Sequence, residues 1–270
     1  MTVQRYRDGA WGEVNKVGKP LDDVSVNVRR EGEWQEIWPS VDIPDSVVNQ
    51  WAVENFATPW PDSVGTADMT INGLSSSTFS TSDPSVFGDG VDDFGSSDPT
   101  EMGSLESFGL AFTLAFENPD GGDVFFGRNE SLAQSDTGSS ILVRTSNVGD
   151  AASIEFFMQD ENGNRLWVYT TSTFDDGTPK PVIIDKNGNT ASDIDIYVDD
   201  MENPQITTTE TDDGFNHTNY TNALDMYYWA RNDEGSDSNH MEADMGVIEF
   251  NSDPYSQDER NGFVSRRPEV

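Results

Sequence analysis

Phe108-Gly109-Leu110-Ala111-Phe112-Thr113-Leu114-Ala115-Phe116-Glu117 is a nearly unbroken apolar run. A strand with one wet face alternates apolar and polar residues, and this one does not, so it reads as a strand buried on both faces. Downstream, Ile154 to Gln159 and Leu166 to Thr171 flank Asp160-Glu161-Asn162-Gly163-Asn164, and Asn-Gly between apolar runs is a strong hairpin signal. Val182 to Asp185, Ile194 to Val198, Leu224 to Ala230 and Gly246 to Phe250 continue the pattern, with a second Asn-Gly at Asn187-Gly188. No window sustains a capped period of 3.6. The expectation is an all-β chain: a jelly-roll sandwich of two antiparallel sheets over residues 86–270.

Upstream, the chain changes character. Residues 41–85 are rich in Pro, Ser, Thr, Asp and Gly, and read as a connector running into the first strands. Residues 1–40 hold an internal repeat. Arg7-Asp8-Gly9-Ala10-Trp11-Gly12-Glu13-Val14 returns 23 residues later as Arg30-Glu31-Gly32-Glu33-Trp34-Gln35-Glu36-Ile37. Each copy places an acid-Gly turn before alternating Trp and aliphatic residues, which predicts a small N-terminal β-hairpin module. Forty residues bury little by themselves, so such a module needs a partner for its apolar faces.

Charge sharpens that division. The 270 residues carry 15 Lys+Arg against 50 Asp+Glu, a formal net charge of −35, with 32 Asp and only four Lys. Residues 1–40 hold six basic and seven acidic groups, a net of −1, which leaves −34 on the remainder. Mean hydropathy is −0.61, yet 7 Trp, 7 Tyr and 15 Phe supply a core. Abundant Asp with scarce Lys suits a protein working in concentrated salt, where self-repulsion is screened within about 3 Å. The near-neutral end then reads as a docking segment, with Trp11, Trp34, Trp38, Arg7 and Arg30 as its contact residues. The same charge argues against binding nucleic acid or anionic lipid. No apolar run approaches membrane-spanning length, and MTVQRYRDGAW lacks the apolar segment of a secretion signal. Zero Cys excludes disulfides and thiol chemistry.

Gly88-Asp89-Gly90-Val91-Asp92-Asp93-Phe94 resembles the opening motif of laminin-G-like, concanavalin-type jelly rolls. Phe112-Thr113-Leu114-Ala115-Phe116 is similar to that family's buried strand. Val182-Ile183-Ile184-Asp185-Lys186-Asn187-Gly188 with Asp193-Ile194-Asp195-Ile196-Tyr197-Val198-Asp199 resembles its later hairpin. The Trp repeat resembles modules of tailed-virus structural proteins. Combined with the salt signature, the resemblances imply a virion protein of a virus infecting halophilic archaea, at the virion surface as capsid turret, spike or tail fibre. The implied partners are other virion proteins, further copies of this chain as a homo-oligomer, and a host surface protein or glycan. A haloarchaeal adhesin or secreted glycan-binding module is the rival.

Candidate chemistry is sparse. His217 and His240 are the only histidines, and no Gly-x-Ser-x-Gly elbow occurs. Glu242-Ala243-Asp244 is the nearest approach to a strand-borne carboxylate set, but Gly246 stands where the third acid belongs, so the expectation is no enzyme. No cofactor is required. Calcium stays open at Asp185, Asn187 and Asn189, whose oxygens alternate as in calcium loops, although an Asn-Gly turn explains the same residues. Tyr228, Trp229 and Asn232 are the candidate ligand-binding residues, Tyr227-Tyr228-Trp229 offering rings for sugar stacking if one set faces outward. Asn129, Asn216 and Asn219 head glycosylation acceptor patterns.

Overall fold

The computed structural model describes residues 4–7, 10–13, 26–30, 33–38, 43–79, 83–98, 105–117, 119–129, 138–221, 224–233 and 236–266, with backbone alone up to residue 38 and at 129, 232–237 and 266. The chain divides into two compact units, Met1–Ile43 and Pro44–Val270.

In the first unit, β1 (Gln4–Arg7) pairs antiparallel with β2 (Ala10–Glu13), and β3 (Val26–Arg30) with β4 (Glu33–Trp38). The repeated residues share one register. Arg7 pairs with Ala10 and Arg30 with Glu33, while Trp11 faces Tyr6 and Trp34 faces Arg29 across their ladders. The side chains of Trp11, Trp34, Trp38, Arg7 and Arg30 lie outside the described residues.

The second unit is a β-sandwich. Its strands run β5 (Val47–Trp51), β6 (Thr70–Asn72), β7 (Ser75–Thr78), β8 (Pro84–Asp89), β9 (Phe94–Ser97), β10 (Ser107–Ala115) and β11 (Val124–Asn129). Then follow β12 (Ser140–Thr145), β13 (Ile154–Gln159), β14 (Arg165–Thr170), β15 (Lys180–Asn187), β16 (Ile194–Val198) and β17 (Thr207–Asp212). The last are β18 (Met226–Tyr228), β19 (Arg231–Asp233), β20 (Ser236–Ser238) and β21 (Glu242–Asn251), before helix α1 (Gln257–Arg266). One sheet has seven strands in the order β16-β15-β10-β21-β8-β7, with β5 also on β21. The other has ten, β17-β14-β13-β12-β11-β18-β9-β6, with β19 beside β11 and β20 beside β19. Neighbours are antiparallel except β19, which runs parallel to β11.

β10 shows why its sequence has no polar face. Phe108, Leu110, Phe112 and Leu114 enter the core between the sheets, against Phe126, Phe156 and Ile248. On the other face Ala111 joins Ile183, Tyr197, Met201, Tyr255 and Phe263 in a second apolar cluster under α1. The sequence gives no sign of that helix, because it is short and polar and its one fully buried side chain is Phe263. It is fastened by Arg260, whose guanidinium lies 4.0 Å from the Tyr197 ring and 3.2 Å from Asp185 Oδ2.

The connector reading of residues 41–85 is corrected. From Pro44 this stretch belongs to the sandwich: β5 pairs with β21, and Trp51, Trp60 and Met69 are fully buried. Its Pro-, Ser- and Asp-rich composition comes from tight turns between short strands. Asp62 shows how such a turn holds, its carboxylate accepting hydrogen bonds from the amides of Gln50, Val64, Gly65 and Ala67 and from Asn49 Nδ2.

Candidate functional site: an aromatic platform on the outer sheet face

At the β6–β9–β18 corner the ten-stranded sheet turns a row of side chains outward. Tyr228 is fully buried and Gly95, its ladder partner, faces the same interior, where an added Cβ would meet Met69 Sδ at 2.3 Å. Side chains alternate along a strand, so Tyr227, Phe94 and Ser96 point the other way. Thr70 pairs with Ser96 and Asn72 with Phe94, which brings both into the same outward row. The Phe94 and Tyr227 rings stack with centroids 4.6 Å apart and planes 12° from parallel, and both are half-buried. His240 stands beside them, its ring 6.5 Å from Phe94 and its Nδ1 donating to the Asp93 carbonyl at 3.2 Å. Half-exposed parallel rings among hydroxyl and amide groups can stack against the C–H face of a sugar and hydrogen-bond its hydroxyls.

Three acids gather in the turn that leads into β9. Carboxylate oxygens of Asp89, Asp92 and Asp93 come within 4.8 Å of one another in the turn between β8 and β9. Asp93 Oδ2 accepts from the Asp89 amide, and Asp89 Oδ1 from the Val91 amide. Burial, with the neighbouring charges of Asp89 and Asp92, holds the Asp93 carboxyl above its ordinary value, against the opposing pull of the Asp89 amide and of His240.

Two of the three ligand residues expected from the sequence are core. Tyr228 and Trp229 are both fully buried. The expected alternation would put them on opposite faces, but Trp229 takes φ 61° at the end of β18, and this turn swings its ring inward. Its indole Nε1 donates to the Ala243 carbonyl at 2.9 Å, and its ring leaves no room for a Cβ on Gly88. Tyr228 lies edge-on to Trp51 and Phe126 and shares a 2.9 Å hydrogen bond with Ser97. Asn232 pairs through its backbone with Arg128, and its side chain lies outside the described residues. The neighbour Tyr227 is the ring that reaches the surface.

Of the residues expected to offer oxygens to calcium, Asp185 already has protein partners. Asp185 is buried on the outer face of the seven-stranded sheet, where its carboxylate accepts from the Tyr255 amide and from Arg260. Burial pushes its pKa up to about 6 despite those partners. Asn187 is exposed at the strand end, and Asn189 hydrogen-bonds His217. Gly188, at φ 147°, turns the chain between Asn187 and Asn189. The Asp160 turn is tied internally: its carboxylate accepts from the Asn162, Asn164 and Asn216 amides and from Asn164 Nδ2. Of the strand-borne acids, Glu242 is exposed and Asp244 accepts from Ser85 Oγ at 2.6 Å.

No protein-family model and no curated protein matches the sequence. Among solved structures, the chain is similar to one titled for the dependence of botulinum neurotoxin type C cell entry on two ganglioside molecules (15% identity, TM-score 0.52, 82% of this chain and 51% of that one). It is similar to the binding domain of botulinum neurotoxin DC in complex with rat synaptotagmin II (15%, TM-score 0.53, 83% and 52%). A Trypanosoma rangeli sialidase, in complex with 2,3-difluorosialic acid, also matches (11%, TM-score 0.54, 91% and 37%). The chain spans about half the length of the neurotoxin chains it matches. At these identities the likeness is one of fold: a jelly-roll-like β-sandwich of the kind found in those receptor-binding chains.

Proposed function

We propose that this chain is a non-enzymatic recognition protein whose sandwich presents the Phe94–Tyr227 platform to a host-surface glycan or glycoprotein. The observation that carries the reading is the stacked, half-exposed ring pair set in a row of Thr70, Asn72 and Ser96. Burying large aromatic area normally stabilises a fold, so rings left at the surface among hydrogen-bonding groups mark a contact site. The neurotoxin chains named for ganglioside and synaptotagmin support it as precedents for receptor recognition on this fold.

The finer reading is a virion surface protein of a virus of halophilic archaea, with residues 1–40 docking it to other virion proteins as part of a homo-oligomer. It is supported by the net charge of −1 on residues 1–40 against −34 on the rest, and by two hairpins that repeat one register around Trp11 and Trp34. The absence of any enzyme activity, a surface location and freedom from nucleic acid and membrane insertion belong to the same proposal. Among the described residues no helix is long and apolar enough to cross a membrane.

The test is binding of the full chain to host-surface polysaccharides in multimolar KCl. Binding without release of reducing sugar, lost in Tyr227→Ala while the fold persists, supports the reading. Turnover abolished by Glu242→Gln or Asp244→Asn would restore a glycanase. For the docking segment, Trp11→Ala with Trp34→Ala should block incorporation into the assembly while the sandwich stays folded, and normal incorporation would end that part.

A further inference from the structure

We infer that the Asn72–Gly73 junction modifies itself, losing the Asn72 side-chain amide as ammonia, and that this event switches the platform off with time. The second half rests on the glycan reading above and adds a regulation of that site.

In Asn-Gly a backbone amide can attack the preceding side chain most readily, because glycine brings no Cβ to obstruct it. This chain has four such pairs: Asn72-Gly73, Asn162-Gly163, Asn187-Gly188 and Asn261-Gly262. The attacking amide must first give up its proton. A junction whose glycine N–H is hydrogen-bonded is therefore protected, as it is against hydrogen exchange. The fold sorts the four on that ground. Gly163 donates to the Asp160 carbonyl at 2.9 Å, and Asn162 is held too, its backbone amide on Asp160 Oδ1. Gly262 lies within α1, where its amide joins the helical ladder. Among the described residues the Gly73 and Gly188 amides donate to nothing. Of these two open junctions only Asn72–Gly73 has both residues exposed, and only it lies in the platform.

The Gly73 nitrogen, its proton lost to water, bonds to Asn72 Cγ. The Cγ–Nδ2 bond breaks and Nδ2 leaves as ammonia, which gives a cyclic imide. Water then opens the imide at either carbonyl, leaving aspartate or its isomer with the chain routed through Cγ. Water is consumed, ammonia is released, and nothing is oxidised or reduced.

The amide that departs is a clasp. Asn72 Nδ2 donates to the Asp92 carbonyl at 3.1 Å, and Asn72 pairs with Phe94 across the β6–β9 ladder. That hydrogen bond ties β6 to the turn that delivers Phe94. A carboxylate in its place sets an anion against the Asp92 carbonyl oxygen, two acceptors with no proton between them. The turn is pushed off β6, and Phe94 loses the support that keeps it stacked on Tyr227. Gly73 cannot be exchanged for a safer residue. It stands at φ 78°, and a Cβ there would fall 1.6 Å from Asp93 Oδ1.

The experiment incubates the full chain at pH 8 in 2 M KCl and follows the four junctions over time by peptide mass mapping. Asn72 should convert about fivefold or more faster than Asn162 or Asn261, the factor that one intramolecular hydrogen bond represents. Asn72→Asp, made directly, should reproduce the aged protein, with faster hydrogen exchange over residues 89–94 and loss of binding to a polysaccharide that the fresh chain binds. Asn162→Asp, on a turn outside the platform, should change neither. Asn72 converting no faster than Asn162 would overturn the self-modification, whatever becomes of the glycan reading. Unchanged exchange over 89–94 in both the aged chain and Asn72→Asp would overturn the switch, as would full glycan binding by Asn72→Asp. If no polysaccharide binds the fresh chain, the glycan reading fails and the switch with it, while the mass mapping still decides the self-modification.

Discussion

Replacing Trp229 by Ala separates a core ring from a ligand-binding one. The side chain is fully buried, and truncating a buried Trp costs about 3–5 kcal/mol. The Ala243 carbonyl also loses the indole donor that reaches it at 2.9 Å, adding about 1–3 kcal/mol for a buried acceptor left unpaired. A loss of about 4–8 kcal/mol in a sandwich of this size lowers Tm by about 8–32 °C. Because Trp229 sits at φ 61°, where a Cβ is strained, Trp229→Gly should be no worse than Trp229→Ala although it removes one more carbon. Tyr227→Ala should behave oppositely. It gives up one ring stack at a half-exposed site, worth about 0.5–1.5 kcal/mol, so Tm falls by only a few degrees while glycan binding is lost. The assay is thermal unfolding by circular dichroism in concentrated KCl, paired with glycan binding at a temperature where every variant is folded. A Trp229→Ala protein that melts within about 3 °C of wild type but no longer binds, beside a Tyr227→Ala protein that binds normally, would refute the reasoning.

Lys186 is fully buried, its ammonium donating to the Leu105 and Glu106 carbonyls and facing the Phe108 and Phe215 rings, and burial brings its pKa down from 10.5 to about 8. A folded value below the unfolded one penalises the charged form, so stability should rise by up to about 3 kcal/mol from pH 8 to 10.5, and Lys186→Met should remove that slope in denaturant titrations; equal slopes would refute it. Burial by itself would raise the Asp62 carboxyl, but hydrogen bonds from the Gln50 amide, Asn49 Nδ2 and the Gly65 and Ala67 amides bring it below its ordinary value. Its stabilisation is therefore present above about pH 4 and lost as pH falls further, and Asp62→Asn should be less stable at pH 7 yet less acid-sensitive below pH 4 by circular dichroism. With −34 on residues 41–270, Tm should be higher in multimolar KCl than at ~0.1 M, where the Debye length is about 10 Å, and equal values would remove the salt-adaptation argument.

What the sequence determined by itself is local in origin. The β10 run, the Asn-Gly hairpin between β13 and β14 and the spacing of later strands specify a two-sheet sandwich, because strand periodicity and turn chemistry act over a few residues. The repeated Arg-acid-Gly-x-Trp unit likewise specifies two hairpins in one register. Tertiary structure decided the rest. Whether Tyr227, Tyr228 or Trp229 reaches the surface depends on one positive φ and on which of them finds Ser97, Ala243 and the Gly88 gap, none of them adjacent in sequence. That Asp185 has a protein cation as partner shows only in the fold, where α1, a helix with almost no apolar pattern, brings Arg260 against it. The platform joins Thr70, Asn72, Phe94, Ser96, Tyr227 and His240 from separated segments, and only the pairing of β6, β9 and β18 sets their distances. Strands form from neighbouring residues, whereas a site forms wherever distant strands happen to be paired, and a single sequence records the first far more directly than the second.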